Sequence, residues 1–195
     1  MKLVVGLGNP GRQYVGTRHN IGFEVIAQLY ARGSGGGDWL KDAKNKHEAL
    51  VADVQDSLGN KLLLAAPMTY MNLSGRSVRS LADFYKLTAA DVLVVCDDKD
   101  LDCGRLRMRP SGSAGGQKGL KNIIEQLGTQ DVARLRVGVG QPPRGVDTAD
   151  HVLGRFRLSE RESVEEAVID AAEGAERWSE KGLDAAMNHV NAPKD

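Results

Sequence analysis

The sequence predicts an α/β protein: a single-domain three-layer sandwich in which a mixed, mainly parallel sheet is flanked by helices. Three observations carry that expectation. Short apolar runs of strand length recur at Leu3–Leu7, Ala49–Val54, Lys61–Ala66, Val92–Cys96 and Arg134–Gly140. Stretches of helical spacing alternate with them. The 195 residues suffice for one domain, residues 1–195, with a core of its own.

The elements follow in order. Leu3, Val4, Val5 and Leu7 form a buried strand, and Gly6, Gly8, Asn9, Pro10 and Gly11 turn the chain after it. Thr17-Arg18-His19-Asn20 ends a short polar loop, and Ile21, Val25, Ile26 and Leu29 then fall on one helical face. Arg32 to Asp38 is a glycine-rich flexible loop, too short to divide domains. Two strands flank the turn Ser57-Leu-Gly-Asn60 as a hairpin, and Pro67 ends the second. Ser74 is an N-cap candidate for a helix carrying Val78, Leu81, Ala82 and Tyr85. After the strand Val92–Cys96, Arg105–Arg109 alternates as a half-exposed strand should. Ser111 to Gly119 is a small-residue loop, and within it Gly112–Gly119 is a candidate lid. It leads into a helix at Leu120, Ile123, Ile124 and Leu127 with Gly128 as C-cap. Pro142 and Pro143 break the chain. A helix over Ser159–Lys181, a short one from Leu183 and a disordered tail over about 191–195 complete it.

Composition excludes several classes. No apolar run approaches a membrane span, and Leu3–Leu7 is too short for a signal sequence. Cys96 and Cys103 are too few for a disulfide framework, so a reducing cytoplasm is expected. The four histidines are scattered, and neither a metal nor another cofactor is expected. The formal net charge is zero, but it is unevenly spread: Gly104–Val146 holds eight Lys/Arg against two acids, and Asp147–Asp195 twelve acids against six bases. The uneven spread reads either as a polarised molecule with one anion-facing side or as two solvated charged faces.

The first glycine run has the spacing of a dinucleotide fingerprint, but no helix opens after Gly11 and Pro10 has no N–H for a phosphate. The loops after three strands carry a different chemistry. Asn9 and His19 lie in the first, Asn72 in the second and Asp97 in the third, and strand ends of an open α/β sheet converge on one edge. Each residue has a plainer reading alone, as a cap, turn former or surface group. Together they suit hydrolysis without a nucleophilic side chain. His19 takes a proton from water, Asp97 fixes its tautomer, and the asparagine amides hold substrate or a developing oxyanion.

GLGNPG, TRHNIGF, PMTYMNLSG, VVCDDKDL, GSAGGQKGLKNII and RLRVGVG occur in an order that resembles the bacterial-type peptidyl-tRNA hydrolase family across about Lys2–Gly140. The resemblance implies a cytoplasmic, metal-independent, monomeric enzyme that cleaves the ester between a peptide and the 3′ end of tRNA. It implies His19 as base, Asp97 as its orienting acid, and Asn9, Met71 and Asn72 as contacts to substrate. Tyr14 would lie near the tRNA 3′ end, and Arg109 and Arg136 would grip phosphates along the acceptor stem. Gln117-Lys118 stands where many members have His-Asn, so Lys118 exchanges an amide contact for a cationic one. Lys99 replaces a usual apolar residue. The alternative implied by organelle relatives is a non-catalytic RNA-binding protein on the same fold.

Overall fold

The computed structural model describes residues 1–193. Its strands are β1 (Lys2–Gly6), β2 (Lys44–Lys46), β3 (Ala49–Gln55), β4 (Lys61–Pro67), β5 (Val92–Asp98), β6 (Leu106–Arg109) and β7 (Ala133–Gly138). They form one sheet in the order β2-β3-β4-β1-β5-β7-β6. The central strands β4, β1, β5 and β7 are parallel. The edges are antiparallel, with β2 and β3 beside β4 and β6 beside β7.

Both faces of the sheet are covered, which is why its central strands read as unbroken apolar runs. Val4 and Val95 face α1 (Ile21–Gly33), α6 (Arg161–Lys181) and α7 (Leu183–Val190) in one core. Leu3, Val5 and Val94 face α3 (Ser74–Tyr85) and α4 (Lys118–Leu127) in the other. The three-layer expectation holds.

The glycines after β1 work differently from a simple turn. Gly6 and Gly22 let α1 lie directly on the sheet: a Cβ on Gly6 would collide with the Gly22 carbonyl, and one on Gly22 with the Leu7 backbone. Of the glycines in the first loop run, only Gly11, at φ 114°, sits where an L side chain is strained. The close approach of α1 fixes where the preceding turn, and hence His19, meets the strand ends.

Several expectations need correction. Ser74 is the first residue of α3, not its cap; the turn Met71–Leu73 runs straight into the helix, and the Ser74 hydroxyl donates back to Met71 O at 2.9 Å. The open Gly75 N–H is instead satisfied from α4, by Asn122 Oδ1 at 2.8 Å. Gly128 is the left-handed C-cap as expected. Two short helices, α2 (Trp39–Asp42) and α5 (Thr148–Leu153), and the edge strand β2 were not anticipated. At the other end, Asn191 is fixed rather than disordered: its amide bridges the Met108 N–H and C=O at 2.8 and 3.0 Å. Residues 194 and 195 of the expected tail lie outside the described residues.

Candidate active site

The loops after β1, β4 and β5 meet at the carboxyl edge of the sheet, as the topology requires. His19 occupies a 3-10 turn, Arg18–Asn20, that leads into α1. Asp97 ends the buried part of β5. His19 Nδ1 and Asp97 Oδ2 are 2.8 Å apart, and Asp97 is only 5% exposed.

Both neighbours of His19 are buried and bonded, so the turn cannot rotate freely. Arg18 donates to Val139 O at 2.9 Å and forks onto Glu160 at 3.1 and 2.7 Å, with its guanidinium 4.8 Å from the Phe156 ring centroid. Burial pushes the Glu160 carboxyl up, but the bonds from Arg18 and the Arg157 N–H outweigh it and hold the group below its ordinary range. Asn20 accepts from the Asn9 N–H at 2.8 Å and donates to Asn9 O at 2.9 Å, which locks the first loop to the histidine turn.

The amide orientations follow from backbone donors. Asn9 Oδ1 accepts from the Met71 N–H at 2.8 Å, so Asn9 Nδ2 is the face left for a ligand. Gln117 Oε1 accepts from the Leu120 N–H at 2.7 Å, so Gln117 Nε2 is the atom 3.0 Å from Asp97 Oδ1. As a carboxylate, Asp97 is an acceptor only. It therefore receives Gln117 on one oxygen and the Nδ1–H of His19 on the other. In the neutral ring this arrangement puts the lone pair on His19 Nε2.

A cavity of about 660 Å³ opens over this centre. Asn9, His19, Met71, Asn72, Asp97 and Lys118 line it, and Arg136 borders it. Asn72 and Lys118 are exposed, and neither side chain has a hydrogen bond or ion pair among the described residues. The far wall comes from Asp147 and α5, whose His151 Nε2 lies 2.8 Å from Gly140 O. Tyr14 does not line the cavity; it is half-buried in the turn Arg12–Tyr14, where its carbonyl accepts the Thr17 hydroxyl at 2.7 Å. Cys96 lies at the cavity floor, but burial pushes its thiol up to about 12, so it offers no thiolate at neutral pH.

The basic segment divides into structural and exposed groups. Arg134 is buried, with its donors on Val132 O, Ser113 O and Gln130 O, and burial lowers its pKa. Arg136 donates to Asp98 Oδ2 at 3.0 Å and to Ser113 O at 3.1 Å. Arg107 and Arg109 are exposed and line a second groove that shares Asp98 and Arg136 with the cavity. The candidate lid is tied at Gly112, Ser113 and Gln117, which leaves Gly115 and Gly116 as its open part; its last residues, Lys118 and Gly119, are already helical. Lys99 contacts Asp100 at 2.7 Å. Among the described residues no cluster of His, Cys, Asp and Glu could hold a metal ion.

Sequence reasoning brought together His19, Asp97, Asn9, Asn72, Met71 and Lys118. It missed Asn20, the Arg18–Glu160 pair and the structural part of Gln117. The motif TRHN contains Arg18 and Asn20, but the burial that makes each need a partner shows only in the fold.

Known proteins resemble this chain over nearly its whole length. The family model described as peptidyl-tRNA hydrolase matches residues 3–195. A peptidyl-tRNA hydrolase of Rhodopirellula baltica is 47% identical over 192 residues, 98% of either chain. One of Desulforamulus reducens is 48% identical, covering 98% of this chain and 89% of the relative. The crystal structure of peptidyl-tRNA hydrolase from Acinetobacter baumannii superposes with a TM-score of 0.89 at 33% identity, covering 100% of this chain and 96% of the other. The chain belongs to the peptidyl-tRNA hydrolase family.

Proposed function

We propose that the protein hydrolyses the ester between peptide and tRNA in peptidyl-tRNA through a water activated by His19. The observation that carries this reading is the oriented pair. Asp97 holds the Nδ1–H at 2.8 Å and leaves Nε2 free beside the cavity. His19 takes a proton from water as its oxygen bonds to the ester carbonyl carbon. Asn9 Nδ2, the Asn72 amide and the Lys118 ammonium supply donors for the substrate carbonyl and the oxyanion that forms. Collapse breaks the bond to the ribose oxygen, which takes the proton from His19. Free tRNA and peptide leave, and the histidine is neutral again.

The tRNA would lie over the second groove, where Arg109 and its neighbour Arg107 meet phosphates of the acceptor stem while Arg136, already paired with Asp98, braces the junction. Met71 presents backbone fixed by Asn9, and Tyr14 packs the 3′ end from outside the cavity lining. No helix among the described residues is long and apolar enough to cross a membrane. The reading includes a cytoplasmic monomer that needs no metal or other cofactor. The test is release of peptide from purified peptidyl-tRNA, followed with and without chelator. Multiple turnovers insensitive to chelator are expected. No turnover by the folded protein, with tRNA binding retained, would leave a non-catalytic RNA-binding protein.

A further inference from the structure

Gln117 is an odd choice for a helix cap. It is the N-cap of α4 and accepts from the Leu120 N–H, yet Ser, Thr, Asp and Asn serve that position better. The longer amide has an oxygen for the cap and a nitrogen that reaches Asp97. Gln117 does both, and its Nε2 also lies 3.2 Å from Met71 Sδ. Its main chain is fixed as well, with its N–H on Ala114 O at 3.2 Å and its carbonyl accepting from Lys121 at 3.0 Å. A side chain held at this many points is not free to turn aside.

These contacts close a circuit. His19 bonds Asp97, Asp97 bonds Gln117, Gln117 touches Met71, Met71 donates to Asn9, and Asn9 is zipped to Asn20, the residue after His19. Three loops and the start of α4 are thereby held in one register around the cavity. Without Gln117, one oxygen of the buried Asp97 carboxylate loses its donor, and the carboxylate is free to rotate away from His19.

We propose that Gln117 is a positioning residue: its amide fixes the rotamer of Asp97 and through it the Nδ1–H form of His19. The proposal rests on the reading of His19 as the base. Other charged groups around the same cavity are Asp98, Lys99, Lys118, Arg136 and Asp147, and all stay in place in the variants that test it.

Two variants separate positioning from capping. Gln117→Met keeps the length and loses both roles. Gln117→Glu keeps an oxygen for the Leu120 N–H, and an anion at a helix N-terminus is favourable, but when ionised it cannot donate to Asp97. Measured at about pH 8, where a carboxyl is ionised, both variants are expected to lose about tenfold or more in kcat with KM within about twofold. The Tm is expected to fall in both variants, in Met through the lost cap and in Glu through repulsion between the new carboxylate and Asp97, so kcat and the ring tautomer carry the test. The 15N shifts of the His19 ring, read without substrate, are expected to change from one tautomer to a mixture. A Glu variant with wild-type kcat and an unmixed tautomer would overturn the proposal and leave Gln117 a cap. An inactive wild-type protein would overturn the hydrolase reading instead, and the ring shifts would still decide the role of Gln117.

Discussion

Asp97 and Asp56 are the two most buried carboxylates of the described residues, at 5% and 6% exposure, and they stand at opposite ends of the sheet. Asp56 sits in the hairpin turn between β3 and β4. It accepts from the Leu58 and Asn60 N–H groups at 3.1 and 2.8 Å, from Asn60 Nδ2 at 3.1 Å and from the Ser179 hydroxyl at 2.8 Å. Its partners are neutral, and it lines neither the cavity nor the basic groove. Asp97 has fewer partners, one of them a titratable ring at a cavity wall. Burial of a carboxylate therefore does not mark an active site. The partner's capacity to exchange a proton, and room for a reactant beside it, distinguish the two.

The comparison breaks most visibly under the same substitution at both sites. Asp97→Asn is expected to lower kcat by about a hundredfold, since an amide can present a donor to His19 and favour the wrong tautomer. Asp56→Asn is expected to leave kcat unchanged and cost about 1–3 kcal/mol of stability, because its new NH2 faces donors rather than acceptors. For a domain of this size that is a fall in Tm of about 2–4 °C per kcal/mol, readable by calorimetry. Equal effects of both variants on kcat would erase the distinction.

Acid sharpens it further. Burial pushes the Asp56 carboxyl up, but the bonds from Asn60, Ser179 and Leu58 outweigh it and lower its folded pKa below the ordinary 3.8. A depressed folded value means the stabilisation is complete above the unfolded pKa and is lost as pH falls through the folded one. The stability of the wild-type protein should therefore drop below about pH 4, and Asp56→Asn should flatten part of that drop in denaturant titrations at several pH values. The smallest expected effect is at the basic groove. Arg109→Gln should raise KM a few-fold at low salt and reduce the slope of log KM against log salt by about one, with kcat unchanged.

Much of this contrast was legible in sequence. The apolar runs of β1, β4, β5 and β7 announce strands buried on both faces, and the loops after β1, β4 and β5 carry the polar residues that meet at one edge. What stayed hidden lacked a burial signal. Lys44, Asn45 and Lys46 form β2 entirely through backbone pairing, with every side chain exposed. The helix α5 buries none of its residues, so no periodicity marks the far wall of the cavity. The antiparallel placement of β6 against β7 depends on how the 99–105 turn and the 110–117 loop fold back, which alternation within Arg105–Arg109 cannot specify. Arg134 and Arg136 have the same charge in sequence; only the structure separates one bound to three carbonyls from one paired with Asp98.

The central claim is that His19 and Asp97 act as one unit, and a double-mutant cycle in peptide release from peptidyl-tRNA tests it most directly. His19→Ala alone is expected to cost about a thousandfold in kcat. Asp97→Asn added to it should cost less than about threefold more, because an acid that works only by orienting a histidine has nothing left to orient. If the two losses multiply, so that the double variant falls about a further hundredfold below His19→Ala, Asp97 acts independently of His19 and the account of the pair is wrong.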